Sequence, residues 1–202
     1  MNKRAVCPDC GFIISRCLCS TLRSIDNKTH LIILQHPSET THALNTVALM
    51  KKSFLNITLI TGEDFSDNQT LNNLISTHKK SLALLYPTEK SEPMEDRHAG
   101  QITHLILIDG TWKKAHKMYS LSKNLHCLTG LKLEISQPTQ YKIRSSQLAH
   151  SLSTLEASIC ALAILEKNLD SKALMDSFNK MIEFQIEKMG PEVFEKNYGR
   201  KD

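Results

Sequence analysis

Residues 105–112 read Leu-Ile-Leu-Ile-Asp-Gly-Thr-Trp, a run of large aliphatics that passes directly into an acidic, glycine-containing turn and the chain's only tryptophan. Such a run suits a strand buried on both faces of a sheet. The next stretch, Lys113-Lys114-Ala115-His116-Lys117-Met118-Tyr119, has helical spacing. It places Trp112, Ala115, Met118 and Tyr119 toward one side and Lys113, Lys114 and Lys117 toward another. A strand feeding straight into a helix is the repeating unit of an α/β protein. It sets the Asp109 carboxylate at the strand's carboxyl end, beside a helix N-terminus. Ligand sites favour that place, because crevices open there and free backbone N–H groups point into them. A cap on the helix, from Asp109 or Thr111, explains the same residues without a ligand.

The rest of the chain repeats the pattern. Strands are expected at His30–Gln35, Ile57–Ile60, Leu82–Tyr86, 104–108 and near Leu131–Ile135. Helices are expected over about 42–53, 70–79, from about 111, and 154–167. The alternation predicts a mainly parallel sheet with helices on both faces. The 154–167 helix is apolar nearly all round and should be buried. Leu174, Phe178, Met181, Ile182, Gln185 and Met189 mark an amphipathic helix packed on the outside. Residues 88–100 are charged and contain proline, which predicts a mobile loop.

Cys7, Cys10, Cys17 and Cys19 form C-x2-C-x6-C-x-C, while Cys127 and Cys160 stand alone. No secretory signal and no bilayer-length apolar run is visible, which predicts a cytoplasmic protein away from membranes. In that compartment four crowded thiols argue against disulfides and for a structural zinc knuckle over residues 1–29. That segment has few large apolar groups, so a metal would order it, with 30–202 forming the α/β domain. An iron–sulfur cluster or redox thiols remain alternatives, because C-x-C is tighter than the usual C-x2-C. Cys160 should be core.

Charge is modest overall, at +4, but unevenly placed. Between Gly110 and His150 six lysines and Arg144 face a single Glu134. A basic block beside the candidate site suggests a polyanionic partner such as RNA, with a solvated lysine-rich face as the lesser alternative.

Asp109-Gly110-Thr111-Trp112 resembles the Asp-x-Thr-Trp signature of the DTW-domain family. Five further stretches support the resemblance in the same order: the N-terminal cysteines, Leu34-Gln35-His36-Pro37-Ser38-Glu39, Leu84-Leu85-Tyr86-Pro87, Tyr141-Lys142-Ile143-Arg144 and Leu152-Ser153-Thr154-Leu155-Glu156-Ala157. They span residue 7 to about 165. The family comprises tRNA-uridine aminocarboxypropyltransferases related to the SPOUT class of S-adenosylmethionine-binding proteins. The resemblance implies a SPOUT-like, knotted cofactor site, although generic chain topology disfavours knots. It also implies transfer of the 3-amino-3-carboxypropyl group from S-adenosylmethionine to N3 of a tRNA uridine, at position 47 of the variable loop in bacterial members, with release of methylthioadenosine.

Carried onto this chain, the resemblance makes Asp109 the acceptor of the N3 proton or the group that orients the base. Binding the donor's ammonium group is its competing role. A carboxylate at a strand end in a partly apolar site can have its pKa raised enough to serve. Gly110 would allow close backbone approach, Thr111 would cap the helix and donate a hydrogen bond, and Trp112 would stack on adenine or a flipped uridine. Leu85, Tyr86 and Pro87 resemble an adenine-binding loop. Ser153 and Glu156 have capping-box spacing, and with Thr154 they would start a helix whose N–H groups suit the donor's carboxylate. His36, Lys113, Lys114, Lys117, Tyr141 and Arg144 are candidate RNA contacts. A SPOUT-type RNA methyltransferase and a non-catalytic zinc-dependent RNA-binding protein are the alternative readings.

Overall fold

A computed structural model describes residues 5–41, 45–134 and 152–189. In chain order the main elements are β1 (His30–Gln35), α1 (Thr46–Ser53), β2 (Ile57–Thr61), α2 (Gln69–His78), β3 (Leu82–Leu85) and β4 (Glu92–Pro93). They continue with β5 (His104–Asp109), α3 (Trp112–Leu121), β6 (Thr129–Lys132), α4 (Thr154–Leu165) and α5 (Lys172–Met189). The strands form one six-stranded sheet in the order β2-β1-β5-β3-β6-β4, and every described pairing is parallel. The mainly parallel α/β sheet read from the sequence is therefore the observed architecture. Whether the chain is knotted depends on the path of residues 135–151, which lies outside the described residues.

Central strands β1 and β5 are aliphatic at successive positions because both faces are covered. Leu31, Ile33, Leu105, Leu107 and Leu131 point to the face packed by α1, α4 and α5. Ile32, Leu34, Leu84 and Ile106 point to the face packed by α2 and α3. Cys160 is buried in α4, and burial pushes its thiol up to about 11, as suits a core residue. On α5, Leu174, Phe178 and Met181 are buried and the helix packs against α1. No helix among the described residues is long and apolar enough to cross a membrane.

The connection from β1 runs through α1 on one face, and the connection from its neighbour β5 runs through α3 on the other. The crevice between their carboxyl ends is thus a topological switch point, the usual ligand position in open α/β sheets. Residues Gln35 and Asp109, the last of β1 and β5, are register partners there.

Two expectations need correction. Residues 88–100 are no bare loop: β4 pairs with β6, a 3-10 turn follows at Asp96–His98, and Ser91, Met94 and His98 are buried. The composition displays the exposed charges, among them Arg97 paired with Glu92 and Glu95, and hides those three anchors. The N-terminal segment likewise has a core attachment. Leu18 and Ile25 belong to the main apolar cluster, Ile25 bridges Phe54, and Ser177 on α5 donates to Thr21 at 2.8 Å. Few apolar side chains suffice here because the segment borrows its core from the sheet layer.

Candidate active site

Asp109 sits at the switch point with 9 % of its surface exposed. The Gln35 side chain donates to its Oδ2 at 2.9 Å, and the Thr154 hydroxyl donates to its Oδ1 at 2.6 Å. The latter is a length typical of a hydroxyl on a charged carboxylate. The backbone N–H of His36 donates to the Asp109 carbonyl at 2.9 Å, which fixes the strand end itself. Gln35 is held in turn by Asn45, the N-cap of α1, whose Oδ1 accepts Gln35 Nε2 at 3.2 Å and also the Ala48 N–H.

Beside Asp109 lies a cleft of about 260 Å³, just below the ~300–1,000 Å³ common for small-molecule sites. Its walls come from the ends of β3 (Leu85, Tyr86, Pro87), β5 (Leu107, Ile108) and β6 (Leu131, Lys132, Leu133), from the turn into α3 and its first residues (Gly110, Thr111, Trp112, Ala115), and from the start of α4 (Leu152, Thr154, Ala157). Thus Leu85, Tyr86, Pro87, Gly110, Thr111, Trp112 and Thr154, singled out in the sequence, meet around one cavity. The lining is mostly apolar, with Thr111, Thr154 and Lys132 supplying polar side-chain atoms. A mostly apolar slot with a few convergent polar groups has the character of a small-molecule site.

Thr111 caps α3, accepting the Lys114 N–H at 3.4 Å. Trp112 does not join the buried side of α3 with Ala115 and Met118. It opens the helix at 59 % exposure, with one side on the cleft. Gly110 serves packing as well as the cleft. A Cβ there would stand 3.2 Å from Lys114 Cβ and 3.6 Å from His36 Cβ, so the absent side chain lets α3 and the β1 exit meet. Tyr86 is buried against Tyr119, ring centroids 4.9 Å apart, and burial pushes its hydroxyl pKa up. Ser153 and Glu156 form the expected capping box: Glu156 Oε2 accepts the Ser153 N–H at 2.8 Å and Ser153 Oγ accepts the Glu156 N–H at 3.2 Å. Neither lines the cleft.

Two of the three candidate lysines on α3 are neutralised. Lys114 donates to Ser38 Oγ and Glu39 Oε1, each at 2.7 Å. Lys117 pairs with Glu63 and holds that carboxyl below its ordinary range, with His36 adding to the effect. His36 is 9 % exposed. Its Nδ1 accepts the Ser38 N–H, so Nε2 carries the proton and faces Glu63 Oε1 at 3.2 Å. Lys113 is exposed. Tyr141 and Arg144 lie outside the described residues. Gln35 lies in a family-like stretch and Lys132 in the basic block, but neither they nor Asn45 were assigned to the site from the sequence. Only the register of β1 against β5, and the course of β6 along the cleft, reveal them.

At the N-terminal segment the sulfurs of Cys7, Cys10, Cys17 and Cys19 all lie within 4.8 Å of one another. The Cys7–Cys19, Cys7–Cys17 and Cys10–Cys17 separations are 3.6, 3.7 and 3.8 Å. A tetrahedral zinc with ~2.3 Å bonds needs sulfur–sulfur edges of roughly 3.8 Å, and no two sulfurs are at disulfide distance. Backbone N–H groups of Cys10 and Asp9 lower the Cys7 thiol to about 7, whereas sharing hydrogen with Cys17 and Cys7 pushes Cys19 up to about 12. The donor set fits a thiophilic divalent cation, which would let all four ionise together.

The model of the DTW domain matches residues 4–186. A mouse protein named tRNA-uridine aminocarboxypropyltransferase 2 is 29 % identical over 194 residues, covering 92 % of this chain and 65 % of its own length. The Drosophila melanogaster protein of that name is 31 % identical over 195 residues, covering 92 % of this chain and 77 % of its own. An Arabidopsis thaliana protein named tRNA-uridine aminocarboxypropyltransferase A is 27 % identical over 227 residues, covering 94 % and 84 % respectively. The chain thus spans just under two thirds of the mouse protein's length. No solved structure matches. With the family's signature residues gathered around one cleft, and its domain matched along most of the sequence, the chain belongs to the DTW-domain family.

Proposed function

We propose that this protein is a tRNA-uridine aminocarboxypropyltransferase that uses S-adenosylmethionine as donor and a tRNA uridine as acceptor, with uridine 47 of the variable loop as the target. The observation that carries the reading is Asp109, held by Gln35 and Thr154 at the switch point, beside a small cleft lined largely by residues of the family-like stretches. The names of the relatives support the reaction class.

S-adenosylmethionine supplies an electrophilic carbon bonded to a sulfonium sulfur, and the sulfur leaves with methylthioadenosine. Which of its three carbons reacts is decided by position, so the protein's work is to orient. Leu85, Tyr86 and Pro87 would hold the adenine side, and the backbone N–H groups at the start of α4, with Lys132, the amino-acid arm. Asp109 would take the proton of uridine N3, which is weakly acidic and needs an acceptor in reach. The exposed face of Trp112 would stack on the incoming base. Lys113, with Tyr141 and Arg144, would meet the RNA backbone, and Lys114 and Lys117 would do so by exchanging Glu39 and Glu63 for phosphates. The four cysteines would hold a structural zinc that steadies the N-terminal segment as part of the tRNA-binding surface, in a cytoplasmic enzyme.

Asp109→Asn should abolish transfer to unmodified tRNA while calorimetric affinity for S-adenosylmethionine changes less than threefold. Turnover at the wild-type rate by that variant would remove Asp109 from the chemistry.

A further inference from the structure

Resting on Asp109 as the proton acceptor, the hydrogen-bond directions around its carboxylate say which oxygen takes the proton and by what route. Asn45 is oriented by two backbone groups of opposite kind. Its Oδ1 accepts the Ala48 N–H at 3.2 Å, and its Nδ2 donates to the Thr40 carbonyl at 3.1 Å. Asn45 Oδ1 therefore faces Gln35 as an acceptor, so the Gln35 atom 3.2 Å away must be its NH2. The same NH2 points its second hydrogen at Asp109 Oδ2, 2.9 Å away. A backbone-anchored chain thus fixes Gln35 as a donor, and Asp109 Oδ2 stays an acceptor throughout.

Oδ1 has a different partner. Thr154 Oγ1, 2.6 Å away, is a hydroxyl that rotates and can donate or accept. Thr154 also lines the cleft, which makes it a polar side chain in contact with both the cavity and Asp109.

We propose that Thr154 is a catalytic residue that relays the uridine N3 proton to Asp109 Oδ1, with Gln35 as the positioning residue that reserves Oδ2. As the N3 lone pair forms the new nitrogen–carbon bond, the carbon–sulfur pair returns to sulfur and neutralises the sulfonium. The N3 proton passes to Thr154 Oγ1, and the Thr154 hydroxyl proton passes to Asp109 Oδ1. Thr154 ends unchanged and turned to accept, and Asp109 ends as a neutral acid.

The test compares Thr154→Val, Thr154→Ser, Gln35→Glu and Asp109→Asn. Four readings are taken: single-turnover rate against pH, KM for tRNA, calorimetric affinity of the donor-free protein for S-adenosylmethionine, and melting temperature. Thr154→Val should lower the rate about 100-fold, with donor affinity and tRNA KM within threefold of wild type. Thr154→Ser should restore the rate to within threefold. Gln35→Glu, which can share a proton with Oδ2, should shift the pH–rate profile where Thr154→Ser does not. A full rate in Thr154→Val, with Asp109→Asn inactive, overturns the relay and leaves Asp109 as the acceptor. A full rate in Asp109→Asn overturns both. A tenfold loss of donor affinity in Thr154→Val without loss of single-turnover rate makes Thr154 a donor ligand and also overturns the relay.

Discussion

Gln35 and Asp109 end adjacent parallel strands in register, and the Gln35 amide donates to Asp109 Oδ2 at 2.9 Å. The pair closes the switch point from its β1 side, so the carboxylate's orientation is set by the sheet rather than by a loop. Groups carried on rigid elements hold their geometry better than groups on loops.

Gln35→Leu removes a donor from a carboxylate that is 9 % exposed and should cost about 1–3 kcal/mol in urea unfolding. The turnover rate should fall further than the stability loss explains, because the carboxylate then loses the donor that orients Oδ2. An unchanged unfolding midpoint would show that the pair contributes nothing to the fold.

Cys10→Ser, or chelation of the wild type, should lower the melting temperature and weaken tRNA binding more than donor binding. Losing one ligand loosens the segment carrying Leu18 and Ile25, and these two belong to the main core. One zinc per chain is expected by plasma mass spectrometry of protein purified without chelators. Protein that folds and binds tRNA with no metal would remove the metal from the structure.

At the amino-terminal edge of the sheet, His78 and His104 stack with centroids 3.6 Å apart, and His30 lies 5.3 Å from His104. Burial, and then the charges of His78 and His30, hold His104 down to about 4 from 6.5, and burial lowers His30 as well. The unfolded chain therefore binds protons that the folded one refuses. Stability should be level above pH 6.5 and fall as pH drops from there toward 4. Melting curves between pH 7.5 and 5 should show this fall, and His104→Gln should flatten it. An equal slope in the variant would place the pH dependence elsewhere.

Gly130→Ala would put a Cβ 2.8 Å from Ser91 Oγ. Ser91 is buried and donates to the Tyr86 carbonyl at 2.7 Å, so it cannot yield without moving the Tyr86–Pro87 wall of the cleft. A cost of about 1–3 kcal/mol is expected, together with weaker donor binding by calorimetry. Ser91→Gly in the same chain should relieve the clash but not restore the lost hydrogen bonds. Wild-type stability for Gly130→Ala would mean the loop moves freely.

What the sequence displayed were local signals. The strand–turn–helix at 105–112 and the Ser153/Glu156 capping box are written in neighbouring residues, and both are observed. Long-range pairings left no such trace. An amide at the end of an apolar strand looks unremarked until register sets Gln35 opposite Asp109, 74 residues on. Glu63 is an ordinary loop acid until β2 delivers it to Lys117, and the basic block read from composition is smaller in space for that reason. Glu166, 138 residues from Lys28, accepts the N–H groups of Lys28 and Thr29 at 2.9 and 2.7 Å and ties the end of α4 to the approach of β1. The buried positions Ser91, Met94 and His98 within a charged stretch were too sparse, and two of them too polar, to give a period.

The reaction itself is tested most directly with S-adenosylmethionine labelled separately in its carboxyl carbon and in its methyl group, incubated with unmodified tRNA and this protein. Carboxyl label should enter a uridine nucleoside of the tRNA, and methyl label should leave with methylthioadenosine. Methyl label in the tRNA, with the carboxyl label left in the released adenosyl product, would make the protein a methyltransferase instead.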